Sequence, residues 1–145
     1  MRVFITGGTG LVGARFVKML LERGDQAVVL SRRPDAARQL FDDAVTIVAG
    51  DPVQSGPWMD AVAECDAVVH LAGEGIFNRR WSKAFKDLIY SSRIEGTKNV
   101  VAAMKKSADA KARGAAVPPG LGLRQLHAHG CIRMGYRDAG RRVDQ

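Results

Sequence analysis

The segment that most constrains the fold of this chain is TGGTGLVG at residues 6–13, which follows the apolar run VFI at residues 3–5. Its glycines predict a strand, a tight turn and then a helix, in which Gly13 allows close packing of helix on strand. The N–H groups and dipole of a helix start favour a phosphate group. The alternative is an ordinary glycine-rich turn. We predict a dinucleotide phosphate site formed by Gly7, Thr9, Gly10, Leu11 and Val12.

Apolar runs alternate with helical patterns along residues 1–112. They predict strands at 2–5, 27–30, 45–49 and 67–71, and helices at 10–23, 34–40, 58–64 and 82–107. Continuous apolar strands joined by helices indicate a parallel sheet covered on both faces. Right-handed crossovers then give the strand order 3-2-1-4 of a doubly wound, Rossmann-like α/β fold, with a ligand site at the glycine segment. The side of the first helix predicted to face the sheet comprises Leu11, Val12, Phe16, Met19 and Leu20.

This pattern ends near residue 112. Residues 113–145 hold six Arg, no Lys and two Asp, and Pro118 and Pro119 interrupt any regular element. We interpret residues 1–112 as an incomplete, truncated dinucleotide-binding domain, and residues 113–145 as an irregular tail that is disordered or read from a shifted frame. With no strand after it, the fourth strand is predicted to be an exposed sheet edge. Such an edge offers a route to oligomers and predicts poor solubility of the isolated chain.

Composition narrows the classes of function. A net charge of +7 is compatible with a nucleic-acid surface, but more than half of it lies in the tail, where Tyr136 is the one aromatic residue. Nucleic acid is therefore disfavoured as a partner. No apolar run approaches the about 18 residues of a membrane span, and the first residues do not resemble a secretion signal, so we expect a cytoplasmic protein. Cys65 and Cys131 lack metal-ligand spacing, and no metal site is predicted.

Residues after the second predicted strand indicate which dinucleotide would bind. Ser31, Arg32 and Arg33 stand there, and no acidic residue appears until Asp35. An acid at this position would hold the ribose hydroxyls of NAD, whereas guanidinium groups suit the 2′-phosphate of NADP. We therefore favour NADP over NAD. The alternative is that both arginines are solvated surface charges.

The ends of the third and fourth strands carry further candidates. Asp51 is placed to meet an adenine amino group, and it is also compatible with a turn-forming role. Glu74 is interpreted either as a ligand of a ribose hydroxyl or substrate, or as a surface acid. His70 is interpreted as a buried, hydrogen-bonded residue rather than a catalytic one. The backbone predicted to pass beside the cofactor ribose comprises Leu71, Ala72 and Gly73.

Together these residues resemble the extended short-chain dehydrogenase/reductase superfamily, and more narrowly its NAD(P)-dependent epimerase/dehydratase-like branch. The resemblance covers residues 1–112. It implies that Arg93 lies near the cofactor, and that the activity is an oxidoreductase or epimerase reaction on a nucleotide sugar or related carbonyl or alcohol compound. The segments that carry it are ITGGTGLVG at 5–13, SR at 31–32, HLAGE at 70–74, RWS at 80–82, Lys86, SRI at 92–94 and Thr97.

The resemblance also implies a tyrosine and a lysine spaced four residues apart as the acid–base pair, and this pair is not found. Tyr90 is followed at that spacing by Ile94, and Tyr136 by Gly140. No catalytic residue is assigned, and we expect this chain to be inactive by itself. Three interpretations stay open: the cofactor-binding part of an epimerase- or reductase-like enzyme, a non-catalytic NADP-binding module, and a basic interaction protein that uses the tail.

Overall fold

The computed structural model describes residues 1–75, 80–112, 122–123, 131–132 and 134–135. Within residues 1–112, strands and helices alternate as the sequence predicts. Short 3-10 turns, Asp42–Ala44 and Val62–Glu64, follow the second and third helices. The elements are β1 (Arg2–Thr6), α1 (Leu11–Glu22), β2 (Gln26–Ser31), α2 (Pro34–Phe41), β3 (Thr46–Ala49), α3 (Trp58–Ala61), β4 (Ala67–His70) and α4 (Lys83–Ala112).

The first four strands form a parallel sheet in the order β3-β2-β1-β4, which confirms the predicted doubly wound topology. At the carboxyl end of β1, Thr6 pairs with Leu30 of β2 on one side and with His70 of β4 on the other. The chain therefore reverses its direction of winding around β1, and the loop after β1 lies over that reversal. Ligands of such sheets bind at this point.

The prediction that β4 is an edge strand is wrong. The short strand β6 (Cys131–Ile132) pairs antiparallel with β4, so that Val68 lies opposite Ile132. Two further strands, β5 (Gly122–Leu123) and β7 (Met134–Gly135), pair with each other. The free N–H and C=O groups along the edge of β4 form hydrogen bonds even with a two-residue segment. This gain outweighs the poor strand pattern of the sequence around residues 131–132. Most of the predicted irregular tail lies outside the described residues.

Alternating strand residues fill one core on each face of the sheet. Toward α3 and α4, Phe4 stacks on Trp58 with ring centroids 6.0 Å apart. Toward α1 and α2, Ile5 and Val29 pack with Val17 and Leu20 of α1. Because both faces are covered, the strands have the continuous apolar sequences from which the parallel sheet was predicted.

The predicted inward side of α1 is only partly right. Leu20 is buried and Phe16 packs on the core, but the side chains of Leu11, Val12 and Met19 are 94%, 69% and 57% exposed. The buried side is instead centred on Val17 and Leu20, together with Gly13. Close approach of Gly13 to the turn after β1 sets the rotation of the helix about its axis, and a pattern of apolar residues does not include glycine.

The long helix α4 runs along the α3 face of the sheet. Its own residues Phe85, Val100, Ala103 and Met104 are buried. The Ser82 hydroxyl accepts a hydrogen bond from the Phe85 N–H group at 3.2 Å at the start of the helix. The rest of its surface carries many charged side chains. Among the residues that the structure describes, neither α4 nor any other helix is long and apolar enough to cross a membrane.

Candidate functional site

The turn after β1 crosses the loop that follows β4. Gly7 has φ +71°, a left-handed conformation that favours glycine. A Cβ there would lie 2.7 Å from the backbone N atom of Ala72, so the two loops touch through backbone alone. The Gly10 N–H group donates to the Gly7 carbonyl at 3.1 Å, and α1 begins at Leu11. The first N–H groups of α1, which have no acceptor within the helix, therefore stand beside this crossing.

A cavity of about 310 Å³ opens above the carboxyl ends of the four parallel strands. Its walls come from the turn after β1, the loops after β2, β3 and β4, and one side of α4. The site that the strand order predicts is therefore present as a cleft. The residues that line it are Gly7, Thr9, Gly10, Leu30, Ser31, Arg32, Arg33, Gly50, Asp51, Pro52, Val53, Leu71, Ala72, Gly73, Glu74, Leu88, Ser91 and Ser92.

Gly10 borders this cavity with room for a ligand. A Cβ at this position would have one neighbour within 4 Å, the Gly7 carbonyl oxygen at 3.4 Å. Its backbone is extended, with φ −78° and ψ 170°, and no side chain caps the helix at this residue. The backbone at Gly10 is thus reachable by an anionic group, which a larger side chain would keep at a distance.

The end of the cavity next to β2 is basic. The Ser31 hydroxyl accepts the Arg33 N–H group at 3.1 Å, and the Ser31 carbonyl accepts the Gly50 N–H group at 3.0 Å. These bonds fix the loop that carries Arg32, which lines the cavity and whose side chain is 71% exposed. The Nη1 atom of Arg32 lies 4.0 Å from Oδ2 of Asp51. The two side chains therefore form a weak ion pair between the loops after β2 and β3.

Asp51 uses its two carboxylate oxygens differently. Oδ1 accepts the Val53 N–H group at 3.0 Å, which is the turn that the Gly50-Asp51-Pro52 sequence predicts. Oδ2 faces Arg32. The turn therefore holds the carboxylate at the cavity wall, where it meets the guanidinium group.

The loop after β4 is held from two sides. Beneath it, the Ala72 N–H group donates to the Thr6 hydroxyl at 3.3 Å. Beside it, the Glu74 N–H group donates to the Ser92 hydroxyl at 3.1 Å, and Nη1 of Arg93 donates to the Glu74 carbonyl at 3.2 Å. The backbone of this wall is thereby bonded both to β1 and to α4.

Three of the predicted contact residues do not line the cavity: Leu11, Val12 and Arg93. The side chains of Leu11 and Val12 point to solvent, which leaves only their N–H groups near the turn. Arg93 instead packs against the loop after β4, where a Cβ on Gly73 would lie 3.5 Å from its Cζ atom.

Within α4 the sequence predicted a contact for Arg93, whereas the residues of this helix that line the cavity are others. Leu88, Ser91 and Ser92 line the cavity, and the Ser92 hydroxyl also donates to the Ile89 carbonyl at 2.9 Å. The sequence feature that could have indicated them is the pair of adjacent serines within a helical pattern. Serine is unfavourable in a helix interior unless its hydroxyl forms a specific hydrogen bond.

A family model described as the NAD dependent epimerase/dehydratase family matches residues 3–114. The chain belongs to this family. Its match ends close to the end of α4, where the sequence pattern also ends. The predicted resemblance is therefore confirmed.

Two relatives illustrate the family. The chain is 37% identical to the epimerase family protein SDR39U1 of Bos taurus over 109 residues, and 35% identical to a putative dihydroflavonol 4-reductase of Synechocystis over 104 residues. The first alignment covers 74% of this chain and 33% of the relative, and the second covers 72% and 29%. The chain thus spans about a third of the length of these relatives.

Solved structures share the fold. Human SDR39U1, solved with NADPH, matches with a TM-score of 0.54 at 32% identity, covering 73% of this chain and 32% of that one. UDP-glucose 4-epimerase of Thermus thermophilus, solved with NAD, matches with a TM-score of 0.63 at 25% identity, covering 74% and 35%. The structural neighbours therefore include proteins solved with either dinucleotide.

Proposed function

We propose that residues 1–112 bind NADP in the cavity at the carboxyl end of the sheet. The pyrophosphate would lie against Gly10 and the first N–H groups of α1. The adenosine half would lie between the loops after β2 and β3, and the rest of the cofactor beside the loop after β4. When bound, the cofactor supplies a nicotinamide ring that gives or takes a hydride.

The observation that carries the preference for NADP is the basic end of the cavity. Arg32 and Arg33 line it directly after β2, and Asp51 belongs to the neighbouring loop. Planar guanidinium groups form paired, charge-assisted hydrogen bonds with phosphate. The human relative solved with NADPH supports the same assignment.

We further propose that these residues are the cofactor-binding part of an epimerase- or reductase-like protein. Its substrate class, a nucleotide sugar or a related carbonyl or alcohol compound, follows from the family. A non-catalytic NADP-binding module is the second candidate, and the position of Tyr90 favours it. This tyrosine is 68% exposed on α4, and the residue four positions later is Ile94 rather than lysine.

Calorimetric titration of the full chain with NADP and with NAD tests the proposal. Adenosine 2′,5′-bisphosphate and adenosine 5′-monophosphate, titrated in parallel, isolate the contribution of the 2′-phosphate. We expect both 2′-phosphorylated ligands to bind on the order of tenfold or more tightly than their partners. Equal affinities would overturn the preference for NADP, and absence of binding by all four would overturn the proposed function.

A further inference from the structure

His70 lies at the end of β4, directly before the cavity wall formed by residues 71–73. Its Nδ1 atom is 2.5 Å from the hydroxyl oxygen of Thr6, the residue that pairs with it across the sheet. Thr6 is fully buried, and its hydroxyl also accepts the Ala72 N–H group at 3.3 Å. The histidine ring, the threonine hydroxyl and the cavity wall thus form one chain of hydrogen bonds.

The direction of these bonds follows from which groups can donate. A peptide N–H group only donates, so Ala72 donates to Thr6 and occupies one of its lone pairs. The single hydroxyl hydrogen of Thr6 then finds its acceptor in Nδ1 of His70. This order requires a neutral ring with its hydrogen on Nε2. The opposite tautomer would leave the buried hydroxyl hydrogen of Thr6 without a described acceptor.

The other side of the ring is packed against α4. A Cβ on Gly96 would lie 3.1 Å from Cε1 and 3.2 Å from Nε2 of His70. Nε2 is buried and has no hydrogen-bond partner among the residues that the structure describes. An unpaired buried donor costs about 1–3 kcal/mol. Burial also lowers the pKa of His70, which keeps the ring neutral.

Nδ1 of His70 therefore accepts the hydrogen bond from Thr6, whereas the unpaired Nε2 lowers the stability of the fold. An apolar ring of similar size would remove the buried unpaired donor and would also remove the acceptor for Thr6. We propose that His70 is a positioning residue, which orients the Thr6 hydroxyl so that it fixes the Ala72 N–H group and with it the cavity wall at residues 71–73. Its effect on dinucleotide affinity rests on the proposed function, whereas its effect on the wall does not.

Two variants break the chain of hydrogen bonds at different points. His70→Phe removes the acceptor and keeps a ring, and Thr6→Val removes the hydroxyl and keeps the side-chain shape. Thr6→Ser loses a buried methyl group but retains the hydroxyl, and it should leave exchange at Ala72 unchanged. Ser107→Ala is the matched control, because Ser107 Oγ is also buried without a described partner but lies in α4 outside the cavity lining.

The direct readout is hydrogen exchange of the Ala72 amide in the full chain without ligand, measured together with thermal unfolding at neutral pH. In His70→Phe and Thr6→Val we expect exchange at Ala72 to accelerate about two- to tenfold, the range that corresponds to one ordinary hydrogen bond. The unfolding temperature of His70→Phe should change little, because the variant removes one unpaired buried donor, Nε2, and leaves another, the Thr6 hydroxyl. Ser107→Ala should leave exchange at Ala72 unchanged.

The second readout is affinity for NADP and NAD. Both affinities should fall about two- to tenfold in His70→Phe and in Thr6→Val, and the double variant should lose no more than either single variant. A lower unfolding temperature of His70→Phe with unchanged exchange at Ala72 would show a packing role and overturn the proposal. Faster exchange at Ala72 with unchanged affinity would support the effect of His70 on the wall and overturn its effect on dinucleotide binding. Failure of the unaltered chain to bind either dinucleotide would refute the proposed function. Exchange at Ala72 tests the positioning role of His70 independently of that result.

Discussion

Gly13, in the first turn of α1, lies so close to Gly7 that no side chain fits between them. A Cβ on Gly13 would collide with the Gly7 carbonyl oxygen and would lie 2.7 Å from the α-carbon of Gly8. Gly10, between them in sequence, has open space on its cavity side. Gly13 therefore serves packing, and Gly10 serves ligand access in the proposed function.

Replacing Gly10 with Val should abolish dinucleotide binding while the fold survives. The two methyl groups would occupy the space in which a pyrophosphate approaches the backbone. The backbone angles at Gly10 suit any residue, so only the weak helix-start preference of Val opposes the change, about 1 kcal/mol or less. Titration with NADP and thermal unfolding measure the two effects, and unchanged affinity would mean that the loop is only a turn.

Gly13→Ala is the matched comparison for the variant at Gly10. It adds one carbon against the backbone of Gly7 and Gly8, which cannot move without displacing β1 from α1. Overpacking of this kind costs about 1–3 kcal/mol, although alanine has the better helix propensity. We expect a lower unfolding temperature for Gly13→Ala than for Gly10→Val, and the reverse order would contradict the separation of roles.

Replacing Arg32 with Asp should change the selectivity between dinucleotides. Loss of a charge-assisted contact with the 2′-phosphate corresponds to about 1.5–3 kcal/mol, or on the order of ten- to hundredfold weaker binding of NADP. The affinity for NAD should change much less. Arg38→Asp alters the net charge equally but lies on α2, where Arg38 pairs with Asp35 at 2.8 Å outside the cavity lining. Equal losses for both dinucleotides in Arg32→Asp would count against the assignment.

We expect Asp51 to compete with the proposed 2′-phosphate for Arg32. Asp51→Asn keeps an oxygen for the Val53 N–H group but removes the charge that faces the guanidinium at 4.0 Å. Exposed pairs of this kind contribute about 0.2–1 kcal/mol, so the affinity for NADP should rise by up to about fivefold and the stability should fall by no more than about 1 kcal/mol. A fall in affinity for both dinucleotides would instead indicate that the carboxylate mainly serves the adenine amino group.

The sheet order could be predicted because each of the four strands carries the same local signal. Runs such as residues 27–30 and 67–69 are apolar throughout, and helical patterns separate them. The right-handedness of crossover connections and the position of the glycine motif then allow one strand order. The pairing of β6 with β4 could not be predicted, because a two-residue strand has no periodicity and depends on a partner that is remote in sequence.

The site was predictable where it consists of loops directly after strands. Arg32, Asp51 and Ala72 line the cavity because the carboxyl ends of parallel strands share one edge. Contacts between residues of different strands could not be predicted from the sequence. The hydrogen bond between Thr6 and His70 depends on the register of β1 and β4. The packing of His70 on Gly96 depends on the position of α4 over the sheet. Neither can be read from the identity of individual residues.

Exposed apolar side chains on α1 and α4 should make the isolated chain bind hydrophobic dyes and self-associate. Met19 is accessible on α1, and Leu88 and Tyr90 are accessible on α4. Met19→Glu should reduce dye binding and change stability by no more than about 0.5 kcal/mol, as is usual for surface positions. Dye fluorescence and sedimentation velocity measure these properties. A monomer without dye binding would contradict the expectation of poor solubility.

His70 should make stability depend on pH in the weakly acidic range. Burial lowers the pKa of its imidazole below the ordinary value of 6.5, so the unfolded chain takes up a proton at a pH where the native ring does not. The stabilisation is complete above about pH 6.5 and is lost as pH falls from there toward the lower native pKa, by no more than about 1.4 kcal/mol per pH unit.

The hydrogen bonds of His70 reinforce this sign, because a protonated ring would have to donate from Nδ1 and displace the hydroxyl hydrogen of Thr6. Asp25 titrates in a separate window, since hydrogen bonds from the amino terminus and from Arg23 lower its pKa below 3.8. Denaturant unfolding at pH 7, 6 and 5 of the unaltered chain and of His70→Phe isolates the effect, because every other titrating group is common to both. We expect a steeper loss of stability in the unaltered chain, and parallel curves would show that His70 takes up its proton equally in the native and unfolded states.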